Sequence, residues 1–150
     1  MYRKFIADES IDIQLTVFNE ETPFKTECDK LALPNDPMYL INRTSCPEPF
    51  HRKAMFEPFG GLEGYETKFE IDFQNQIHEV FVRLSFAKVE ARNEPNAGSY
   101  PYGRHAKDNI GISVVRARRE LELDQTLVLQ YDPRERWWGI EVDFPPSLDE

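Results

Sequence analysis

The chain has 150 residues, enough for one domain that buries roughly 68–70% of its unfolded surface without staples. At 40% hydrophobic and 13% aromatic, with 11 Phe, it carries too much apolar mass for a disordered segment. The net charge of −9 repels polyanions and anionic membrane, no apolar run reaches transmembrane length, and residues 1–4 do not open a secretory signal, so the chain is expected to be soluble and cytoplasmic.

The first element is a strand over 11–18, where Ile11, Ile13, Leu15 and Val17 alternate with polar residues and are expected to face a core. From 19 to 55 five prolines, Pro23, Pro34, Pro37, Pro47 and Pro49, break the pattern. The stretch is read as a long covering loop with one short strand at Tyr39-Leu40-Ile41. Past Gly60, Gly61 and Gly64, a strand over 65–73 puts Tyr65, Thr67, Phe69, Ile71 and Phe73 on one face. A turn at 74–76 returns it as a strand over 77–86 with Val80, Val82, Leu84 and Phe86 on one face, making an antiparallel hairpin.

Pro95, Gly98, Pro101 and Gly103 mark 93–109 as a second long loop, expected to be mobile, and 88–92 and 104–109 are the short helix candidates. A β-branched strand opens at Ile112 and is expected to run on through the charged residues 116–122. Asp132-Pro133 signals a turn, and a last strand over 137–144 carries Trp138, Ile140, Val142 and Phe144 on one face until Pro145-Pro146 stops it. Strands dominate, so the expected class is α+β: a mostly antiparallel sheet with one or two short helices in a single domain over 1–150.

Five groups of residues could carry chemistry. Cys28 and Cys46, 18 residues apart, make no zinc or redox motif and read as two reduced thiols. His51, His78 and His105 read as unrelated, so no metal is expected. The phosphate-loop, dinucleotide, metalloprotease and nucleophile-elbow motifs are absent, so no catalytic residue is assigned, and the period-2 acids Glu120 and Glu122 read as a solvated strand face.

More informative is 101–119, where Arg104, Lys107, Arg116, Arg118 and Arg119 face Asp108 alone, a local balance of +4 in an acidic chain. On an extended strand Arg116 and Arg118 share a face, and their guanidinium forks suit phosphate or carboxylate; surface pairing with Glu120, Glu122 and Asp124 is the competing reading. In the stretch 131–142, adjacent Trp137 and Trp138 must point to opposite sides of a strand. One is expected in the core and the other under Arg134 or Arg136 or at an interface.

The stretches 35–40 (Asn-Asp-Pro-Met-Tyr-Leu), 111–121 (Gly-Ile-Ser-Val-Val-Arg-Ala-Arg-Arg-Glu-Leu) and 135–144 (Glu-Arg-Trp-Trp-Gly-Ile-Glu-Val-Asp-Phe) together resemble bacterial GHKL proteins, the histidine kinase, DNA gyrase B and heat-shock-chaperone-like ATPases. In that group the matching region is the transducer domain, a β-α-β layer fold that follows the nucleotide-binding domain and relays hydrolysis to movement. The resemblance implies a non-catalytic domain of a longer chain. It implies ATP and magnesium bound by an N-terminal ATPase domain of the same protein, and a phosphate-sensing Lys in a loop after residue 150. Arg104, Lys107, Arg116, Arg118 and Arg119 are the candidates for facing that domain, and Arg134, Arg136, Trp137 and Trp138 the interface candidates. A homodimer belongs to the same expectation. The alternative is a stand-alone module that binds nucleic acid or a protein through 101–119, with an affinity that falls steeply with salt.

Overall fold

The computed structural model describes residues 2–18, 21, 26–129 and 132–148. Expectations that rested on Pro23, on Tyr131 and on the Cys28 side chain lie outside what is described. The architecture is α+β with a mostly antiparallel sheet, as the strand patterns implied. A short helix α1 (Arg3–Ala7) precedes a two-stranded antiparallel sheet of β1 (Gln14–Phe18) and β2 (Thr26–Leu31). Then come β3 (Phe56–Pro58), α2 (Gly61–Gly64), β4 (Glu66–Phe73), β5 (Gln76–Ala87), α3 (Val89–Arg92), α4 (Pro101–Asp108), β6 (Ile112–Arg116), β7 (Arg119–Asp124) and β8 (Trp138–Phe144).

The six-stranded sheet runs β3-β5-β8-β6-β7, with β4 also paired to β5. The long β5 gives its last three residues to β3 and its first eight to β4, while β8 takes its other edge. Of the described pairs, β6–β8 is parallel and the rest are antiparallel. The β4–β5 hairpin turns at Gln74 and Asn75, both at positive φ (54° and 61°), the two-residue turn whose twist suits a hairpin.

The core lies on one side of this sheet. Tyr39, Cys46, Phe50, Met55 and Phe56 pack there with Ala87, Ala91 and the α4 residues Tyr102 and Ala106. The stretch 19–55 is not one covering loop: β2 occupies 26–31, and only 32–55 covers the sheet, with no strand at its center. Tyr39 sits at φ 50° and Leu40 and Ile41 are irregular. The reason is Asp36, whose carboxylate accepts the N–H groups of Met38, Leu40 and Ile41 at 2.8–3.0 Å and so takes the amides a strand would need.

Four further expectations are corrected. The strand over 11–18 is shorter, and its Ile13, Leu15 and Val17 are 41–61% exposed, because β1 joins β2 in a separate sheet and not the core. The loop 93–109 is no mobile connection: Pro101 starts α4, and Tyr102, Gly103 and Ala106 are buried. The strand from Ile112 does not run on through 122. It reverses at Ala117 and Arg118, both at positive φ (48° and 66°), so that Arg116 pairs with Arg119. Finally, Trp137 is not on the last strand but in a 3-10 turn ahead of it.

Candidate functional site

Alternation along the strands predicts which face of the sheet is apolar, and along β6, β8 and the second half of β5 the structure buries the other one more fully, while His78 and Val80, on the apolar face of β5, are buried as well. On β8 the buried residues are Gly139 and Glu141, while Trp138, Ile140, Val142 and Phe144 are half-exposed. On β6 Ser113 and Val115 are buried and Ile112 and Val114 half-exposed. On β5 the buried pair Ser85 and Ala87 alternates with half-exposed Val82, Leu84 and Phe86. Register puts these half-exposed residues on one surface: Val82 stands opposite Val142, which stands beside Val114, and Leu84 opposite Ile140 beside Ile112. Phe69, Ile71 and Phe73 of β4 extend it, at 36–51% exposed.

Aromatic groups close one end of this open face. Trp138 lies 4.4 Å from the Phe86 ring center and 4.8 Å from Phe59, and Arg92 stacks over Phe86 at 4.8 Å. Neither arginine expected over a tryptophan is there. Arg134 pairs with Asp132 at 2.6 Å, holding that carboxyl at about 2, and Arg136 donates to the Gly98 carbonyl at 2.9 Å. Trp137 packs against the core cluster on the other side.

The buried face owes its polarity to one ion cluster. Arg3 of α1, 4% exposed, donates through one nitrogen to Glu141 at 2.6 Å and to Ser113 at 2.8 Å. Its Nε lies 3.8 Å from Asp36, and Glu120 is 3.6 Å away. Lys4 reaches Glu141 at 2.8 Å, and Arg83 joins Glu141, Asp143 and Glu66 at 2.6–3.0 Å. Ser113 donates to Glu120 at 2.6 Å, so Glu120 does not face solvent beside Glu122 as its spacing suggested. An extra residue in β7, Leu121, shifts the register there.

Burial pushes the Glu141 carboxyl up, but Arg3, Lys4 and Arg83 outweigh it and hold it below the usual glutamate range. Asp36 goes the other way: burial raises it against the pull of Arg3 and three amides. The cluster lines an open cleft of about 410 Å³ shared by Arg3, Lys4, Asp36, Tyr65, Arg83 and Glu141, with the Tyr65 hydroxyl pushed up to about 12 by burial and then Glu141. With Arg3, Lys4 and Arg83 set among these carboxylates, the arrangement clamps α1 and the Asp36 turn onto the sheet.

The five basic residues of 101–119 do not form one patch. Arg104 and Lys107 sit on α4, in the layer over the buried face. Arg116 ends β6 beside Phe144, on the open face. Arg118 and Arg119 stand at the β6–β7 turn and hold α1: Arg118 pairs with Asp8 and stacks over Phe5 at 4.9 Å, and Arg119 over Tyr2 at 5.9 Å. Surface pairing of Arg118 is thus real, with Asp8 and not with the acids of β7.

The histidines fall on a loop, on β5 and on α4. His78 meets Ser147 at 2.9 Å, and His105 meets the Tyr39 hydroxyl at 2.9 Å. Among the described residues no group of three His, Cys, Asp or Glu could hold a metal ion, and no helix is long and apolar enough to cross a membrane. Cys46 is a free, buried thiol pushed up to about 12 by burial.

Sequence reasoning missed Arg3, Lys4, Asp36, Arg83 and Glu141. The Asn35-Asp36-Pro37 turn signature was the one local cue; a Glu between Ile140 and Val142 looks like any solvated strand position. The chain matches no family model, no curated protein and no solved structure.

Proposed function

We propose that this chain is a non-catalytic coupling domain of the GHKL transducer type, which docks on a neighboring ATPase domain of the same protein and relays ATP binding and hydrolysis as a change of contact. The observation that carries the reading is the open apolar face formed by Ile112, Val114, Ile140, Val142 and Phe144. These side chains are only partly covered by their own chain, and covering the remainder of one of them is worth a fraction of the roughly 1.5–3 kcal/mol that full burial of an exposed aliphatic side chain brings. Arg116, at the rim of that face, is the side chain best placed to meet an anionic nucleotide site across the interface, and Arg118 and Arg119, at the adjoining turn, would have to leave their contacts with α1 to do so.

In this reading ATP and magnesium belong to the neighbor, and this domain supplies differential contact. It touches the face and the hairpin tip more closely in one nucleotide state than in the other. The test is ATP turnover of the full-length protein carrying Val142→Lys. A loss of roughly 5–150-fold is expected, the usual span of a coupling energy, with the circular dichroism of the domain unchanged. Unchanged turnover removes the face from the mechanism, and a gene without an adjoining ATPase domain overturns the reading as a whole. In that case binding of the chain to nucleic acid across a salt series tests the stand-alone alternative, which the division of the basic residues between two sides of the molecule makes weaker.

A further inference from the structure

β4 is an edge strand, and its hairpin fixes which of its backbone groups are spent. The two-residue turn makes Phe73 and Gln76 a hydrogen-bonded pair, so Phe73, Ile71, Phe69 and Thr67 direct their N–H and C=O groups to β5. The bond from Leu84 N–H to the Tyr65 carbonyl, 3.2 Å, keeps the same phase. Glu66, Lys68, Glu70 and Asp72 therefore point their main-chain groups outward, where no described strand pairs with them. All eight residues are exposed. A long edge of this kind is a template for another strand.

We propose that β4 pairs antiparallel with β4 of a second copy, about a two-fold axis through Phe69. Any two-fold centered on a residue brings the outward groups together, and those on Lys68, Phe69, Glu70 and Ile71 overlap at least five residues of β4, the last setting Glu70 opposite Asp72 twice. A center on Lys68 sets two lysines opposite each other, and a center on Glu70 sets two glutamates opposite each other. A center on Phe69 places Lys68 opposite Glu70 of the second copy twice, in hydrogen-bonded pairs, and stacks the two Phe69 rings at the closer, non-hydrogen-bonded spacing of about 4.5 Å between Cα atoms. Thr67 then meets Ile71 on the same apolar side. Glu66 would meet Asp72, and Arg83, 2.6 Å from Glu66, offsets that repulsion.

Lysine on an edge strand usually blocks such pairing. Here it lies on the charged side of the strand, already within 3.4 Å of its own Glu70 and 2.8 Å of Glu79, so its charge sits among carboxylates. The assembly joins two six-stranded sheets into one and continues the open apolar face across the axis. The pairing is independent of the coupling role proposed above.

The experiment is sedimentation of the purified chain over a concentration series, with Lys68→Glu, Glu70→Lys and an equimolar mixture of the two. The wild type should shift from 17.6 kDa to twice that mass. Each single variant should associate at least tenfold more weakly, about 1.4 kcal/mol. The mixture should recover the doubled mass, because a strand acidic at both positions then faces a strand basic at both. Both positions are exposed, so the circular dichroism of each variant should match the wild type. A wild type that stays at 17.6 kDa up to ~1 mM, or a dimer that Lys68→Glu does not weaken, overturns the proposal.

Discussion

Glu141 shows how far a single side chain can depart from its local pattern. It stands between Ile140 and Val142 on a strand, yet it is 3% exposed and receives hydrogen bonds from Arg3, Lys4 and Arg83. Glu141→Gln leaves Arg3 buried without its nearest counter-charge, and the chain should lose about 3 kcal/mol in urea unfolding. Because the folded pKa of Glu141 is lowered, its contribution is complete above the ordinary glutamate value of 4.5 and disappears as pH falls through the folded value. The stability difference between wild type and Glu141→Gln should therefore shrink on acidification; a pH-independent difference would mean that the carboxylate charge does not matter. His105 adds a second acid limb. Burial lowers its pKa from 6.5, so its contribution is present above that value and lost as pH falls through the folded one. Urea midpoints between pH 7 and 5 should drop more for the wild type than for His105→Gln. No pattern in the sequence marked these two residues, because burial of a polar group is set by whatever lies across from it.

Local chemistry decided some elements and not others. The β4–β5 hairpin was legible because alternation on both sides of Gln74-Asn75 leaves one register that keeps the apolar residues together. The β6–β7 hairpin was not, because Ala117 and Arg118 occupy left-handed positions that ordinarily call for Asn or Gly. Ala117→Asn should relieve that strain and raise stability by about 0.5–1 kcal/mol, read as a higher urea midpoint with an unchanged slope. α4 was read only from 104 onward, because its Pro101 and Gly103 look like loop punctuation. Pro101 fits the first helical turn, and a Cβ on Gly103 would lie only 2.8 Å from the Cα of Gly98. The two-stranded β1–β2 sheet shows the reverse case, since a clean apolar alternation at Ile13, Leu15 and Val17 led to exposure and not to a core.

At the scale of the whole molecule, the consequence of this sheet is a partly covered apolar surface on a chain of net charge −9. The folded chain should bind an apolar dye such as ANS while keeping its near-ultraviolet dichroism. Val114→Lys with Val142→Lys should at least halve that signal without unfolding the domain, since both sites are half-exposed; undiminished dye binding would place the apolar surface elsewhere. The class, the long strands and the apolar stripe of each could be read from local order alone, because alternation of side chains is a property of the backbone that neighbors in sequence already specify. Which side of the sheet would be covered could not. That was decided by the fold, where Asp36 turns the chain back and Arg3, over a hundred residues from Glu141, brings α1 onto the polar stripe. Pairing of charges so far apart in the chain leaves no mark on local periodicity, which is why the covering of the Ser113–Glu141 side and the partial exposure of Ile112, Val114, Ile140 and Val142 could not be read locally.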